Sequence, residues 1–142
     1  MDKQKVIEKL NQALENEYAG VIRYSHYSFM IFGFNRIPIV GWFRSQSQES
    51  LTHAEAIGEK ITSLGGHPSL KVGTLLETHK HSVTEILKES LEHEKEQLSV
   101  LKDILALVEG EDIHLEEFIR TMIADETEHT YEIEKMLRRP ED

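Results

Sequence analysis

Apolar residues recur every three or four positions along nearly the whole chain, as on one face of an α-helix, and no stretch alternates as a strand does. Gly65, Gly66 and Gly110 fall where this pattern stops, and Pro38 falls where it resumes, at a position that a first helical turn accepts. The pattern therefore predicts an all-α protein. Its four helices should span about residues 3–32, 38–64, 80–109 and 112–138.

The connections between these helices differ in length. The first and last are short, so they join antiparallel neighbours. The middle one, about 13 residues long, can stretch to roughly 43 Å at ~3.3 Å per residue, about the length of one helix at ~1.5 Å per residue. This order predicts a single domain over residues 1–142, a four-helix bundle with one long crossover between the second and third helices.

Three of the predicted helices carry an apolar stripe that an ionisable residue interrupts near the middle. The interruptions are Glu17 in the first helix, Glu94 in the third, and Glu126 with His129 in the fourth. The apolar neighbours at helical spacing include Leu10, Leu14, Leu87, Leu91, Leu98, Leu101, Leu105, Ile119, Met122 and Ile133. A buried glutamate without a partner is unfavourable. Because antiparallel packing brings the interruptions to similar depth, we expect them to share a metal cation.

The second helix supplies a fourth position on its buried stripe. His53 lies where a ligand is expected, and the stripe position three residues before it is Ser50. Glu49 lies four residues before His53, about 40° round the helix at ~100° per residue. We therefore expect Glu49 to reach the same metal as His53 from a different angle.

Composition limits which metals fit. The absence of cysteine excludes disulfides and thiolate sites, so 26 acidic residues and 8 histidines supply the donors. Oxygen and imidazole donors suit iron, manganese and zinc, with iron or manganese favoured where carboxylates dominate. The other histidines lie off the stripes or in the long connection, and we expect them at the surface rather than as ligands: His26, His67, His79, His81, His93 and His114.

Charge and hydropathy bear on partners and location. The formal net charge of -10 argues against a nucleic-acid partner, because phosphates would be repelled. The N-terminus lacks the pattern of a signal peptide, and the longest apolar stretches, residues 29–34 and 37–43, are too short to span a bilayer. We expect a cytoplasmic protein without a membrane partner.

The segment Asp125-Glu126-Thr127-Glu128-His129 is similar to the fourth-helix motif of the bacterioferritin branch of the ferritin-like superfamily. Residues 10–17, with Tyr24 seven positions later, resemble the first-helix signature of the same family. This resemblance implies a site for two irons, built from one glutamate on each of two helices and a Glu-x-x-His pair on each of the others. It also implies that Tyr24 lies beside the metals. The implied ligands are Glu17, Glu49, His53, Glu94, Glu126 and His129.

Three positions depart from the family pattern. Ser50 stands where the second helix should carry the glutamate of its Glu-x-x-His pair, and Leu51 stands where bacterioferritins place a haem-binding methionine, so no haem is expected. The sequence ends at Asp142, soon after the fourth helix, without the short fifth helix of the family. We therefore expect a homo-oligomer of at least two chains, which need not be the hollow shell of the family.

The resemblance favours a ferroxidase that oxidises Fe(II) with O2 or peroxide, for iron storage or detoxification. Two alternatives remain. One is a di-iron or dimanganese peroxide-reducing enzyme of the rubrerythrin or catalase kind. The other is a non-enzymatic helical module in which the change at Ser50 has degraded the metal site.

Overall fold

The computed structural model describes residues 1–140, which form four α-helices and no strand. The helices are α1 (Lys3–Phe29), α2 (Arg36–Ser63), α3 (Val83–Val108) and α4 (Ile113–Leu137). Helix α1 packs against α2 and α3, and α3 packs against α4. The all-α prediction and the single long crossover between the second and third helices are confirmed.

Side-chain caps explain where three of the helices begin. Asp2, Ser82 and Asp112 each precede a helix and accept a hydrogen bond from the backbone N–H three residues later, at 3.2, 3.2 and 3.0 Å. The Ser82 cap starts α3 three residues later than the apolar pattern predicted. Helix α1 ends at Phe29 rather than near residue 32, and the chain turns through Gly33, whose φ of 97° suits glycine.

The apolar core consists of two clusters separated along the bundle axis. One contains Leu10, Leu14, Ile57, Leu101, Ile119 and neighbours, and the other contains Tyr24, Tyr27, Phe43, Ile86, Ile133 and neighbours. On every helix the residues of the first cluster lie on one side of a buried polar position, and those of the second lie on the other. The bundle therefore encloses a polar layer at mid-height.

The crossover between α2 and α3 is held along the bundle by hydrogen bonds. Gly73 N donates to Glu15 O at 2.8 Å, and Ser69 N donates to the Asn11 side chain at 2.8 Å. Thr78 donates to the buried Glu89 through both its backbone N and its hydroxyl, at 3.1 and 2.8 Å. These bonds fix a segment that has no secondary structure of its own.

The buried stripe of α3 differs in detail from the predicted one. Leu91, Leu98 and Leu105 are only half-buried, whereas polar Ser90 and Gln97 are buried. The difference arises because α3 packs against both α1 and α4, so its buried face is wider than one stripe. Within residues 1–140, no helix combines the length and apolar character needed to cross a bilayer.

Candidate metal centre

Five of the predicted ligands meet in the polar layer, and they form two groups with one shared member. Glu17 of α1, His53 of α2 and Glu126 of α4 form the first group. Glu94 of α3 joins Glu126 and His129 in the second. In each group, one potential ligand atom from every residue lies within 4.8 Å of the others. The shared carboxylate of Glu126 lies where a bridge between two cations would lie.

The imidazole rings turn their Nδ1 atoms towards the carboxylates of this layer. His53 Nδ1 lies 3.5 Å from Glu126 Oε1 and 3.7 Å from Glu17 Oε1, and His129 Nδ1 lies 3.7 Å from Glu126 Oε2. These distances exceed those of good hydrogen bonds. His53 Nδ1 and Glu126 Oε2 are buried, and neither has a hydrogen-bond partner within residues 1–140. His53 Nδ1 faces the first group, and Glu126 Oε2 faces His129 of the second. A cation in each group would satisfy one of the two atoms, so the donor set fits a metal.

Burial and mutual repulsion set the protonation of two glutamates. Burial raises the pKa of Glu17 to about 7, and Gln97 Nε2 donates a hydrogen bond of 3.0 Å to its Oε1. Burial and the neighbouring Glu126 raise the pKa of Glu94 well above its usual value. Tyr24 donates a hydrogen bond to Glu94 Oε1, and burial together with Glu94 raises the tyrosine pKa, so the hydroxyl keeps its proton.

Charge in this layer is balanced by the histidines. Burial alone would raise the pKa of Glu126, but the protonated Glu94 and the imidazoles of His129 and His53 outweigh burial and lower it below the usual range. Burial alone would lower the pKa of His53, but the carboxylates of Glu126 and Glu17 raise it to about 10. Without a bound metal, the side chains of this layer therefore carry protons that a binding cation would displace.

Glu49 lies on the outer side of the two rings rather than in either group. Its Oε2 lies 2.9 Å from His129 Nε2, and its Oε1 lies 4.0 Å from His53 Nε2. Asp125 also approaches His53 Nε2, at 3.7 Å. Carboxylates in this position orient metal-bound imidazoles by accepting the proton of the outer nitrogen. A direct bond from Glu49 to a metal stays a prediction.

Ser50 is buried at a close approach of three helices. A Cβ atom at Gly20 of α1 would lie 2.6 Å from Ser50 Oγ and 3.3 Å from His93 Nε2 of α3. The absence of a side chain at Gly20 therefore lets α2 and α3 approach α1 beside the candidate centre. The family motif would place a second glutamate at the position of Ser50. Here the two groups share one carboxylate, that of Glu126.

Two polar residues beside the centre differ from the sequence-based expectations: His93 was predicted to lie elsewhere, and Gln97 was not predicted at all. His93 was expected at the surface and is half-buried, with its ring edge-on to Tyr24 at 6.3 Å, so that prediction was wrong. Burial, with Arg23, lowers the pKa of His93 to about 4. Gln97 is buried and links Glu17 to Asn16. Gln97 follows Glu94 by three residues and so shares its face of the helix; this spacing could have identified it in the sequence.

Comparison with known proteins agrees with this fold. Residues 7–141 match the family model of the ferritin-like domain, so the chain belongs to the ferritin-like family. A bacterial ferritin of Synechocystis is 28% identical over 134 residues, which cover 93% of this chain and 85% of that protein.

Two solved structures are also similar to the chain. A ferritin-like, diiron-carboxylate protein from Bacillus anthracis superposes with a TM-score of 0.91 at 28% identity, over 97% of this chain and 99% of that one. Rhodobacter capsulatus bacterioferritin, described with a metal-free dinuclear site and a haem iron, superposes with a TM-score of 0.83 at 26% identity, over 94% and 84%. The fold is therefore the ferritin-like four-helix bundle.

Proposed function

We propose that this protein is a ferroxidase that binds two Fe(II) ions per chain as its substrate and passes their electrons to O2 or peroxide. The observation that carries the proposal is Glu126, whose carboxylate belongs to both His-carboxylate groups. Two cations placed on either side of one carboxylate can lose electrons to a single acceptor. Relatedness to a bacterial ferritin and a diiron-carboxylate protein supports iron as the metal.

Each half of the site has its own carboxylate and imidazole. In this proposal Glu17 and His53 hold one iron, Glu94 and His129 hold the other, and Glu126 bridges them. The geometry supports Nδ1 as the ligand atom of both histidines, because it faces the carboxylates. Glu49 and Asp125 then fix the outer nitrogens of the rings.

Proton release accompanies iron binding. Near neutral pH and without metal, Glu94 and His53 hold protons and Glu17, with its pKa of about 7, holds one for part of the time; each must lose its proton before it can bind a cation. Each Fe(II) then gives one electron and becomes Fe(III). One O2 takes two electrons and two protons to form hydrogen peroxide, or one peroxide takes two electrons and two protons to form two waters. Carboxylates suit this change because their negative charge stabilises the more highly charged product.

Ser50 favours a second candidate, a bundle that has lost its chemistry. The second helix lacks the glutamate of the family motif at this position, and Glu49 lies outside both groups. A chain with an incomplete site would bind metal weakly and serve as a non-enzymatic module.

A peroxide-reducing enzyme with iron or manganese differs from both the ferroxidase and the non-enzymatic module, because it would turn over peroxide repeatedly without accumulating oxidised iron.

An anaerobic titration separates these functions. Metal-free protein receives Fe(II) in steps, air is admitted, and near-ultraviolet absorbance is followed against iron added per chain. A fast phase that saturates at two irons per chain supports the ferroxidase. Oxidation no faster than in buffer contradicts it, and repeated peroxide turnover with a reductant favours the peroxide-reducing enzyme.

A matched pair of variants ties the rate to the site. Glu94→Ala should abolish the fast phase, whereas Glu96→Ala, an exposed glutamate on the same helix, should leave it unchanged. A fast phase that survives in Glu94→Ala contradicts the assignment.

We further propose that copies of the chain assemble with one another in the cytoplasm and store or detoxify iron. Large apolar side chains are exposed where α1 meets α2, with Phe32 74% and Ile37 86% exposed, and such surfaces favour association. Light scattering of the purified protein measures the assembly. A monomer at micromolar concentration would contradict the proposed assembly.

The expectation that no haem binds stays a prediction. Leu51, at the position where bacterioferritins place a haem-binding methionine, is exposed on α2.

A further inference from the structure

A second group of metal-binding residues lies outside the polar layer, where the crossover meets the end of α1. His26 is in the last turn of α1, and Glu77 and His81 lie four residues apart in the crossover. One potential ligand atom from each lies within 4.8 Å of the others. We propose that His26, Glu77 and His81 form a second metal site, which binds one divalent transition-metal cation such as Zn(II).

The two imidazoles each face one oxygen of the Glu77 carboxylate, and one donor atom from each residue lies within 4.8 Å of the others. Glu77 Oε2 lies 3.2 Å from His26 Nε2, and Glu77 Oε1 lies 3.3 Å from His81 Nε2. Donor atoms around a tetrahedral Zn(II) lie about 3.4 Å apart when its metal–ligand bonds are ~2.1 Å long. Two imidazoles and one carboxylate are a donor set that binds zinc and leaves a position open to water.

His81 provides a second, independent observation. Its Nε2 is shielded from solvent and has no hydrogen-bond partner within residues 1–140, although Glu77 Oε1 lies 3.3 Å away. A hydrogen bond at that distance fails for want of alignment. Buried imidazole nitrogens without partners are unfavourable, and a cation would satisfy this one.

The crossover holds Glu77 in place from both sides. On one side, Arg23 donates hydrogen bonds to Leu76 O at 3.0 Å and to Thr74 O at 3.2 Å. On the other, Thr78 binds Glu89, which pairs with Arg23 at 3.2 Å beneath the crossover. A buried ion pair therefore anchors the segment that carries the central carboxylate, so little ordering remains when a cation binds.

The local backbone also positions the carboxylate of Glu77. His79, with a φ of 58°, turns the chain so that its N–H donates to Glu77 Oε1 at 2.5 Å. His26 Nε2 lies 3.2 Å from Glu77 Oε2, at the other oxygen of the carboxylate. Because the ligands come from both α1 and the crossover, the bound cation joins these two segments.

Zinc binding to the full-length protein tests the site. Zn(II) is titrated against a competing chromogenic chelator, for wild type, for the double variant H26Q/H81Q and for the matched control H114Q, which changes an exposed histidine of α4. The double variant should bind one equivalent less than wild type, and the control should bind as wild type does. Equal stoichiometry and affinity in the double variant and wild type would overturn the proposal.

Histidine resonances and hydrogen exchange locate the bound cation. Zn(II) should shift the imidazole signals of His26 and His81 together, and should slow amide exchange in residues 73–81 of wild type but not of H26Q/H81Q. Unshifted signals would overturn the proposal. Far-ultraviolet circular dichroism verifies that the variants fold. The single variant H26Q, which changes a side chain that is 47% exposed, tests independently whether one equivalent of Zn(II) is lost. None of these readouts depends on iron oxidation, so this site and the proposed ferroxidase can fail separately.

Discussion

Glu49 Oε2 lies 2.9 Å from Nε2 of His129, on the side of the ring away from the shared carboxylate of Glu126. The same ring turns Nδ1 inward, 3.7 Å from Glu126 Oε2. A carboxylate on the outer nitrogen fixes the tautomer of a metal-binding histidine and leaves the inner nitrogen free to bind. Glu49 thus has the position of an orienting residue, although sequence spacing alone suggested a ligand.

This geometry predicts the effect of removing Glu49. The change Glu49→Ala should weaken iron binding roughly 10- to 100-fold, as loss of an orienting carboxylate does, while the fast phase still saturates at two irons per chain. Glu55→Ala, an exposed glutamate on α2, is the control and should behave as wild type. Saturation at one iron per chain in Glu49→Ala would instead identify Glu49 as a direct ligand.

The hydroxyl of Tyr24 should matter to iron oxidation. Tyr24→Phe removes the donor to Glu94 without removing the ring, and we expect the fast phase to slow about 10-fold with its stoichiometry unchanged. Tyr27→Phe removes a hydroxyl of another buried tyrosine, which donates to Glu89 at 2.7 Å, away from the two groups. It should lower stability but leave the oxidation rate as in wild type. Equal rates in the two variants would contradict a role for Tyr24 beside the metals.

The close approach at Gly20 should be sensitive to a single methyl group. Gly20→Ala places a Cβ atom 2.6 Å from Ser50 Oγ, so we expect the free energy of unfolding to fall by about 1–3 kcal/mol in urea titrations. Gly58→Ala in α2 is the control, because a Cβ there meets nothing within 4 Å and should add up to about 1 kcal/mol.

A second substitution identifies the clash. Adding Ser50→Ala to Gly20→Ala removes the nearest atom and should restore part of the lost stability. If Gly20→Ala is as stable as Gly58→Ala, the helices do not approach as closely as the structure indicates.

The buried layer predicts how stability depends on pH without metal. The pKa of Glu17 is raised from 4.5 to about 7, so the folded state keeps a proton that the unfolded state loses, and its contribution disappears as pH rises from 4.5 to 7. His53, raised from 6.5 to about 10, loses its contribution between those values. Between pH 4 and 6.5 the pKa of His93, lowered from 6.5 to about 4, acts in the opposite direction, because the unfolded state there binds the extra proton. The free energy of unfolding should therefore fall from pH 7 to pH 9, and the part due to Glu17, at most about 3 kcal/mol, is measured as a difference from a Glu17 variant.

Urea unfolding with a chelator, at pH 5, 7 and 9 and in moderate salt to screen the surface charge, measures this fall. Glu17→Gln serves as the control, because it removes the Glu17 titration between pH 4.5 and 7; the stability of wild type relative to this variant should fall over that range. Wild-type and Glu17→Gln profiles that run parallel between pH 5 and 7 would contradict the raised pKa of Glu17.

Much of the centre follows from local patterns. Glu17, Glu94 and Glu126 interrupt apolar stripes at mid-helix, and helical periodicity alone indicates that they point inward at similar depth. His53 is found in the same way, at a stripe position of α2. The mismatch at Ser50 is also visible in the sequence, because it breaks the spacing of a known motif.

Other parts of the centre depend on contacts between helices. His93 lies one residue before Glu94, so helical spacing points it away from the stripe, yet the gap at Gly20 lets it lie against Tyr24. The partners of Glu77 could not be inferred either, because His26 comes from a helix 51 residues earlier in the chain.

The sequence by itself determined the four helices, the long crossover and the depth of the central glutamates, because a period of 3.6 residues and helix-ending glycines act over a few neighbouring positions. The tertiary structure alone decided which imidazole nitrogen faces the shared carboxylate of Glu126, that Glu49 lies on the outer side, and that the crossover meets α1 at Glu77. Those arrangements depend on side-chain rotamers and on atoms from other helices, and no local spacing specifies either.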